Sequence, residues 1–183
     1  MKHLLFPFIF LFFWGSLGAQ SHADCALALE ICNKQPIILP LIYGPGNDSL
    51  ELDNTVCSAG FPNFESSTAW VRWRVAQGGT FWFIIYPLNP DDDIDFFVYK
   101  LFNGDCAQKT SVRCMVAGDF SSSSPCMGPT GLLPGENDIN GPPGCLPGTN
   151  NFLAPIDVVA GEEYALAINN FSSSLGETLI NSS

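Results

Sequence analysis

Apolar and polar positions are most clearly ordered between Phe81 and Tyr99. Phe81-Trp82-Phe83-Ile84-Ile85-Tyr86 is wholly aromatic or β-branched, and after Pro87-Leu88-Asn89-Pro90 an acidic run, Asp91-Asp92-Asp93-Ile94-Asp95, leads into Phe96-Phe97-Val98-Tyr99. Side chains alternate across a strand, so Ile94, Phe96 and Val98 share one face while Asp93, Asp95, Phe97 and Tyr99 share the other. The pattern predicts two strands meeting at an acidic corner, with one core face and one face that begins as a carboxylate cluster.

Further strands are read the same way. In Trp70-Val71-Arg72-Trp73-Arg74-Val75, Val71, Trp73 and Val75 face one side and Trp70, Arg72 and Arg74 the other, a strand with one wet face. The short Gln77-Gly78-Gly79-Thr80 turn makes it a hairpin with the Phe81 strand. Pro36–Ile42 is apolar but broken by prolines, which suits an edge strand because proline cannot donate to a ladder. Ser111–Val116, Pro155–Val159 and the alternation of Tyr164, Leu166 and Ile168 with Ala165 and Ala167 add three more. Asp24–Cys32 reads as a helical turn or a strand, and Gly118–Asn151 as a long Ser/Gly/Pro/Asn-rich loop. The expected fold is all-β: a jelly-roll-like antiparallel β-sandwich with disulfides.

The N-terminus changes the setting. Lys2 and His3 precede an apolar run from Leu4 to Trp14 and the small residues Gly15–Ala19, the form of a secretory signal peptide over residues 1–19. The run is shorter than the roughly 20 residues a bilayer-spanning helix needs, so no transmembrane anchor is expected. Residues 20–183 then form one domain, enough for a single core. The formal charge of −11 becomes −12 once Lys2 leaves with the leader, which disfavours nucleic acid and anionic membranes as partners.

All seven cysteines follow the leader, as in an oxidising compartment. Cys106 with Cys114 is expected to close a short loop, and Cys126 with Cys145 to clamp the Gly/Pro-rich segment; Cys25, Cys32 and Cys57 leave one thiol over. Zinc is the weaker alternative, since no CxxC pair occurs. Of the two histidines, His3 leaves with the leader and His22 lies just behind it, so imidazole-dependent hydrolysis and histidine-ligated zinc are disfavoured by inventory. A carboxylate pair, as in glycoside hydrolysis, is the catalytic chemistry left over. Asp91, Asp93 and Asp95 are instead read as a Ca²⁺ site, because packed carboxylates repel unless a hard cation compensates; a solvated acidic turn is the alternative. An EF-hand is rejected, since Phe96 stands where its glycine belongs.

The succession Asp24-Cys25…Ile31-Cys32, Ala69-Trp70-Val71-Arg72-Trp73, Gly79–Ile85, Asp92–Phe96, Gly128-Pro129-Thr130-Gly131, Gly161-Glu162-Glu163-Tyr164 and Asn169-Asn170-Phe171-Ser172 resembles the β-sandwich modules of Bacteroidetes surface proteins. These are similar to pre-peptidase C-terminal domains and occur in gliding-motility and type IX secretion cargo. The resemblance implies a non-catalytic module of an extracellular or outer-surface protein, acting in adhesion, binding or spacing against a cell-surface or extracellular polymer or protein. The alternative it implies is an accessory module of a secreted exoenzyme that contacts glycan through Trp70 or Trp82. One departure is that Ser173–Asn181 alternates poorly where a closing strand is expected, so the chain reads as a fragment of a longer protein or one with an altered end.

Overall fold

The computed structural model of the chain describes residues 22–40, 44–52, 55, 57, 65–118, 126–145, 148–172 and 177–183. The expected leader lies outside these residues, and among them no helix is long and apolar enough to cross a membrane. After one 3₁₀ turn, Cys25–Leu27, come β1 (Leu29–Glu30), β2 (Ile37–Pro40), β3 (Thr68–Arg74), β4 (Gly79–Phe81), β5 (Phe83–Pro87) and β6 (Ile94–Phe102). Then follow β7 (Asp105–Met115), β8 (Thr130–Leu132), β9 (Asn140–Gly141), β10 (Phe152–Leu153), β11 (Ile156–Val158), β12 (Glu163–Asn170) and β13 (Glu177–Ser182).

Two sheets carry the fold, one in the order β1-β3-β12-β6-β7-β9 and one in the order β10-β8-β5-β13-β2, with β4 and β11 as a separate ribbon. The long pairs are antiparallel, and only the two-residue pairs at the margins, β1 with β3, β7 with β9 and β8 with β10, are parallel. Between the sheets lies the main core: Val71, Phe96, Val98, Leu166 and Ile168 from the first sheet meet Leu39, Phe83, Ile85, Leu132 and Ile180 from the second. The alternation read in β6 and β12 produces this directly, since the register sets Ile168 beside Phe96 and Leu166 beside Val98.

The outer face of the first sheet is wet at the Arg72–Arg74 end of β3, as read, but covered elsewhere. Trp70, Phe97, Tyr99, Cys114, Ala165 and Ala167 form a second buried cluster, covered by Cys25, Leu52 and Cys57 from the chain before β3. Two disulfides hold that cover: Cys25–Cys106 and Cys57–Cys114, with Cα separations of 6.0 and 6.1 Å. The expected Cys106–Cys114 bond is therefore overturned. Both residues sit on the single strand β7, and eight residues at about 3.3 Å each put them roughly 26 Å apart, far beyond the roughly 6 Å a disulfide spans. Cys126–Cys145 is present with a Cα separation of 5.9 Å, and Cys32 is exposed and free.

Two strand expectations also change. No hairpin joins β3 to the Phe81 strand: β3 pairs with β1 and β12, β4 pairs with β11, and β5 belongs to the second sheet. Gln77–Thr80 is thus part of a crossing between sheets. The closing strand, left open by the poor alternation of Ser173–Asn181, is β13, inserted between β5 and β2 with Thr178 and Ile180 buried.

Candidate functional site

The acidic corner carries the chain from the second sheet to the first, and its side chains are divided among separate tasks. Asp92 N donates to the Asn89 carbonyl at 3.0 Å, Asn89 Nδ2 to Asp92 Oδ1 at 3.0 Å, and Asp91 N to Asn89 Oδ1 at 3.3 Å, so Asn89 organises a turn. Asp91 is exposed and Asp92 buried. The Asp93 carboxylate lies against Gly118, where a Cβ would collide with it, and Asp93 N donates to Ser172 Oγ at 2.7 Å. Asp95 is buried; burial first and the charge of Asp93 second hold its carboxyl well above the usual range, opposed by a hydrogen bond with Asn169. Asn169 Oδ1 in turn accepts from Ser66 N at 2.9 Å and Ser67 N at 3.2 Å, fastening the approach to β3. Asp91, Asp93 and Asp95, expected to hold Ca²⁺, thus occupy three settings: exposed, half-buried against Gly118, and buried beside Asn169. Among the described residues no three or more His, Cys, Asp or Glu side chains are grouped to hold a metal ion.

A second acidic group, not anticipated from sequence, lies at the second buried cluster. Glu51 and Glu65 are only 8% and 7% exposed. Cys25 N donates to Glu51 Oε2 at 2.9 Å, and Glu51 N to Glu65 Oε2 at 3.2 Å. Lys109 Nζ lies 3.9 Å from Glu51 Oε1, and 5.8 and 5.5 Å from the ring centres of Trp70 and Tyr99. Burial pushes the Glu65 carboxyl up to about 8, the charges of Glu51 and Asp48 adding to it and the Glu51 N–H and Lys109 opposing. Burial likewise raises Glu51. A raised carboxyl pKa is what a general acid needs, but neither residue lines the cleft described next. Together they pin the cover segment beside the Cys25–Cys106 disulfide.

The fold opens where β3 runs out toward β4. Small residues, Ala76, Gly78 and Gly79, make that crossing, and β4 leaves the sandwich to pair with β11, secured by Thr80 Oγ1 donating to Asp157 Oδ1 at 3.0 Å. The sheets there leave a cleft of about 560 Å³, within the range of small-molecule sites. Its floor is one end of the main core, the buried side chains of Val71, Val75, Phe83, Leu166 and Ile180. Its wall is aromatic: the half-buried rings of Trp73 and Phe81 stand 4.9 Å apart, and Trp73 stacks on Tyr164 at 5.7 Å. Amide and hydroxyl side chains of Asn33, Gln77, Thr80 and Ser182 lie around it, with Lys34 and Arg74, and among the described residues no Asp or Glu belongs to the lining.

The tryptophans singled out as exposed platforms are placed otherwise. Trp70 is fully buried and stacks on Tyr99 at 5.6 Å, and Trp82 is half-buried against the main core. Trp73, read only as a core residue, is the tryptophan that faces open space. His22 is not a loose tail residue: its carbonyl accepts from Trp70 N at 2.6 Å and its Nδ1 lies 3.2 Å from the Leu27 carbonyl oxygen.

No family model matches the chain, and no curated protein does. Among solved structures, the pre-peptidase C-terminal domain of a collagenase from Bacillus anthracis is similar to it at 11% identity and a TM-score of 0.41, covering 85% of this chain and 94% of that one.

Proposed function

We propose that the chain is an exported, non-catalytic β-sandwich module of a surface or secreted protein, and that it works by binding a ligand in the cleft walled by Trp73 and Phe81. The cleft carries this reading: a space of about 560 Å³ with an apolar floor and an aromatic wall is costly to leave wet and favourable to fill. Export is supported by the three disulfides, which persist in oxidising compartments. A non-catalytic role is supported by where the acid–base groups sit. The carboxyls of raised pKa are buried under the cover segment or beside Asn169, and the His22 ring contacts a backbone carbonyl. In its finer form the reading is adhesion by a gliding-motility or type IX secretion cargo protein, as the strand motifs' resemblance to Bacteroidetes surface modules implies.

Titration of the full chain with the neutral fluorophore N-phenylnaphthylamine tests the cleft. Binding with a saturable fluorescence rise, weakened at least about fivefold by Trp73→Ala in a variant with native circular dichroism, is the expected result; loss of about 1 kcal/mol of aromatic contact is that factor. Absence of saturable binding, or binding indifferent to Trp73, overturns the reading.

A further inference from the structure

We infer that this cleft selects an amphiphilic anion, a ligand with an aliphatic or aromatic body and one acidic head group. The inference rests on the proposal that the cleft is the binding site. The body follows from the floor, where Val71, Val75, Leu166 and Ile180 offer no donor or acceptor side chain. A sugar seated there would bury hydroxyls without partners, at about 1–3 kcal/mol for each. An apolar body loses nothing on the same floor and meets the tilted rings of Trp73 and Phe81 on one side.

The head group follows from the distribution of charge. Acidic residues outnumber basic ones by 18 to 7 in this chain, yet among the described residues the cleft lining includes Lys34 and Arg74 and no Asp or Glu side chain. The nearest acidic neighbours are engaged at its margin. Glu163 Oε1 lies 3.9 Å from Arg74 Nε, and Asp157 accepts from Thr80. Among the described residues Lys34 forms no ion pair. A cationic head would meet two like charges, and a neutral one would gain nothing from them. An acid head at the rim gains from Lys34 foremost, while its body stays on the floor. The negative charge elsewhere does little to oppose this, because screening limits its reach to about 8 Å at physiological salt.

Two fluorophores with one aromatic body separate the two claims: N-phenylnaphthylamine is neutral, and anilinonaphthalene sulfonate carries an acid on the same rings. With the full chain at about 0.15 M salt, the sulfonate is expected to bind at least about threefold more tightly, the scale of one or two exposed charge contacts. Lys34→Gln with Arg74→Gln should bring the ratio of the two probes' affinities to about one. Raising salt to about 0.5 M, where screening acts within ~4 Å, should erase the same difference. Equal binding of the two probes by the unaltered chain overturns the anion selectivity and leaves the cleft as the binding site. A sulfonate preference that survives the double substitution also overturns it, because the selectivity then arises elsewhere. Failure of both probes to bind overturns the underlying reading instead.

Discussion

Glu65→Gln should remove much of the pH dependence of this protein's stability. Glu65 is 7% exposed, its Oε2 accepts from Glu51 N at 3.2 Å, and the charged groups acting on it are Glu51, Asp48 and Lys109. Its carboxyl titrates at about 8 when folded, against 4.5 otherwise. Between those values the folded state holds a proton that the unfolded state has lost, so stability falls as pH rises from about 4.5 to about 8 and stays lowered above. The gap is worth at most about 5 kcal/mol, and local relaxation leaves about 2–3 kcal/mol as a realistic share. Gln keeps the oxygen that receives the Glu51 N–H and cannot ionise. The assay is urea unfolding of both proteins at about pH 5 and pH 9, with Cys32 alkylated against thiol exchange. Between these the wild-type protein should lose about 2–3 kcal/mol more than the variant. Glu51 and Asp95, whose carboxyls are also raised, bias both proteins in the same direction and largely cancel in the comparison. Parallel profiles would refute the reasoning, for they would mean that Glu65 is already ionised in the folded protein and its charge compensated.

Three further outcomes are expected. Non-reducing peptide mapping should find Cys25–Cys106, Cys57–Cys114 and Cys126–Cys145, with Cys32 alone alkylated; Cys57→Ser with Cys114→Ser should cost about 4 kcal/mol, and a shift under about 1 kcal/mol would contradict a staple of that span. Gly131→Ala should lower the melting point by several degrees, about 2 kcal/mol or more, because φ is +146° there and the new Cβ would strike the Phe83 carbonyl oxygen on β5. Trp70→Ala should cost about 3–5 kcal/mol and Trp73→Ala only about 1–2 kcal/mol, since one ring is fully buried and the other borders open space; the reverse order in denaturant unfolding would argue against the cleft.

The strands with strict alternation were legible from their residues. β6 and β12 place Ile94, Phe96, Val98, Tyr164, Leu166 and Ile168 in the main core as the period of two requires. What alternation does not report is whether the opposite face is covered. Phe97 and Tyr99 were read beside a wet carboxylate face, yet Leu52, Cys25 and Cys57 bury them. Partner choice was equally hidden. A short turn before Phe81 signals a hairpin locally, but the main core needs β3 and β5 on opposite sheets, and that demand prevails. The middle of β7 is polar, with Gln108, Lys109 and Thr110, so the run looked like two pieces and brought Cys106 and Cys114 together on paper. The candidate site was not legible: Trp73 alternates as a core residue and Phe81 as the start of a strand, and nothing local marks either as a cleft wall. That they border a gap depends on β4 leaving the sandwich for β11, a pairing between residues far apart in sequence.

β12 and β13 follow every other strand of these two sheets along the chain, and neither is an edge. β12 separates β3 from β6, and β13 separates β2 from β5. A growing chain therefore has both neighbours of each of these strands before it has the strand itself. Until residues 163–182 are made, four strands wait with open edges, and a chain stopped earlier is left with a template for aggregation rather than a smaller domain. The thiols wait as well. At about 5–20 residues per second, Cys25 precedes its partner Cys106, 81 residues onward, by roughly 4–16 s, and during that interval Cys32 and Cys57 are the cysteines already made. Oxidation that runs ahead of translation would trap wrong pairs, so this topology favours a chain kept reduced and unfolded until its final strands are made.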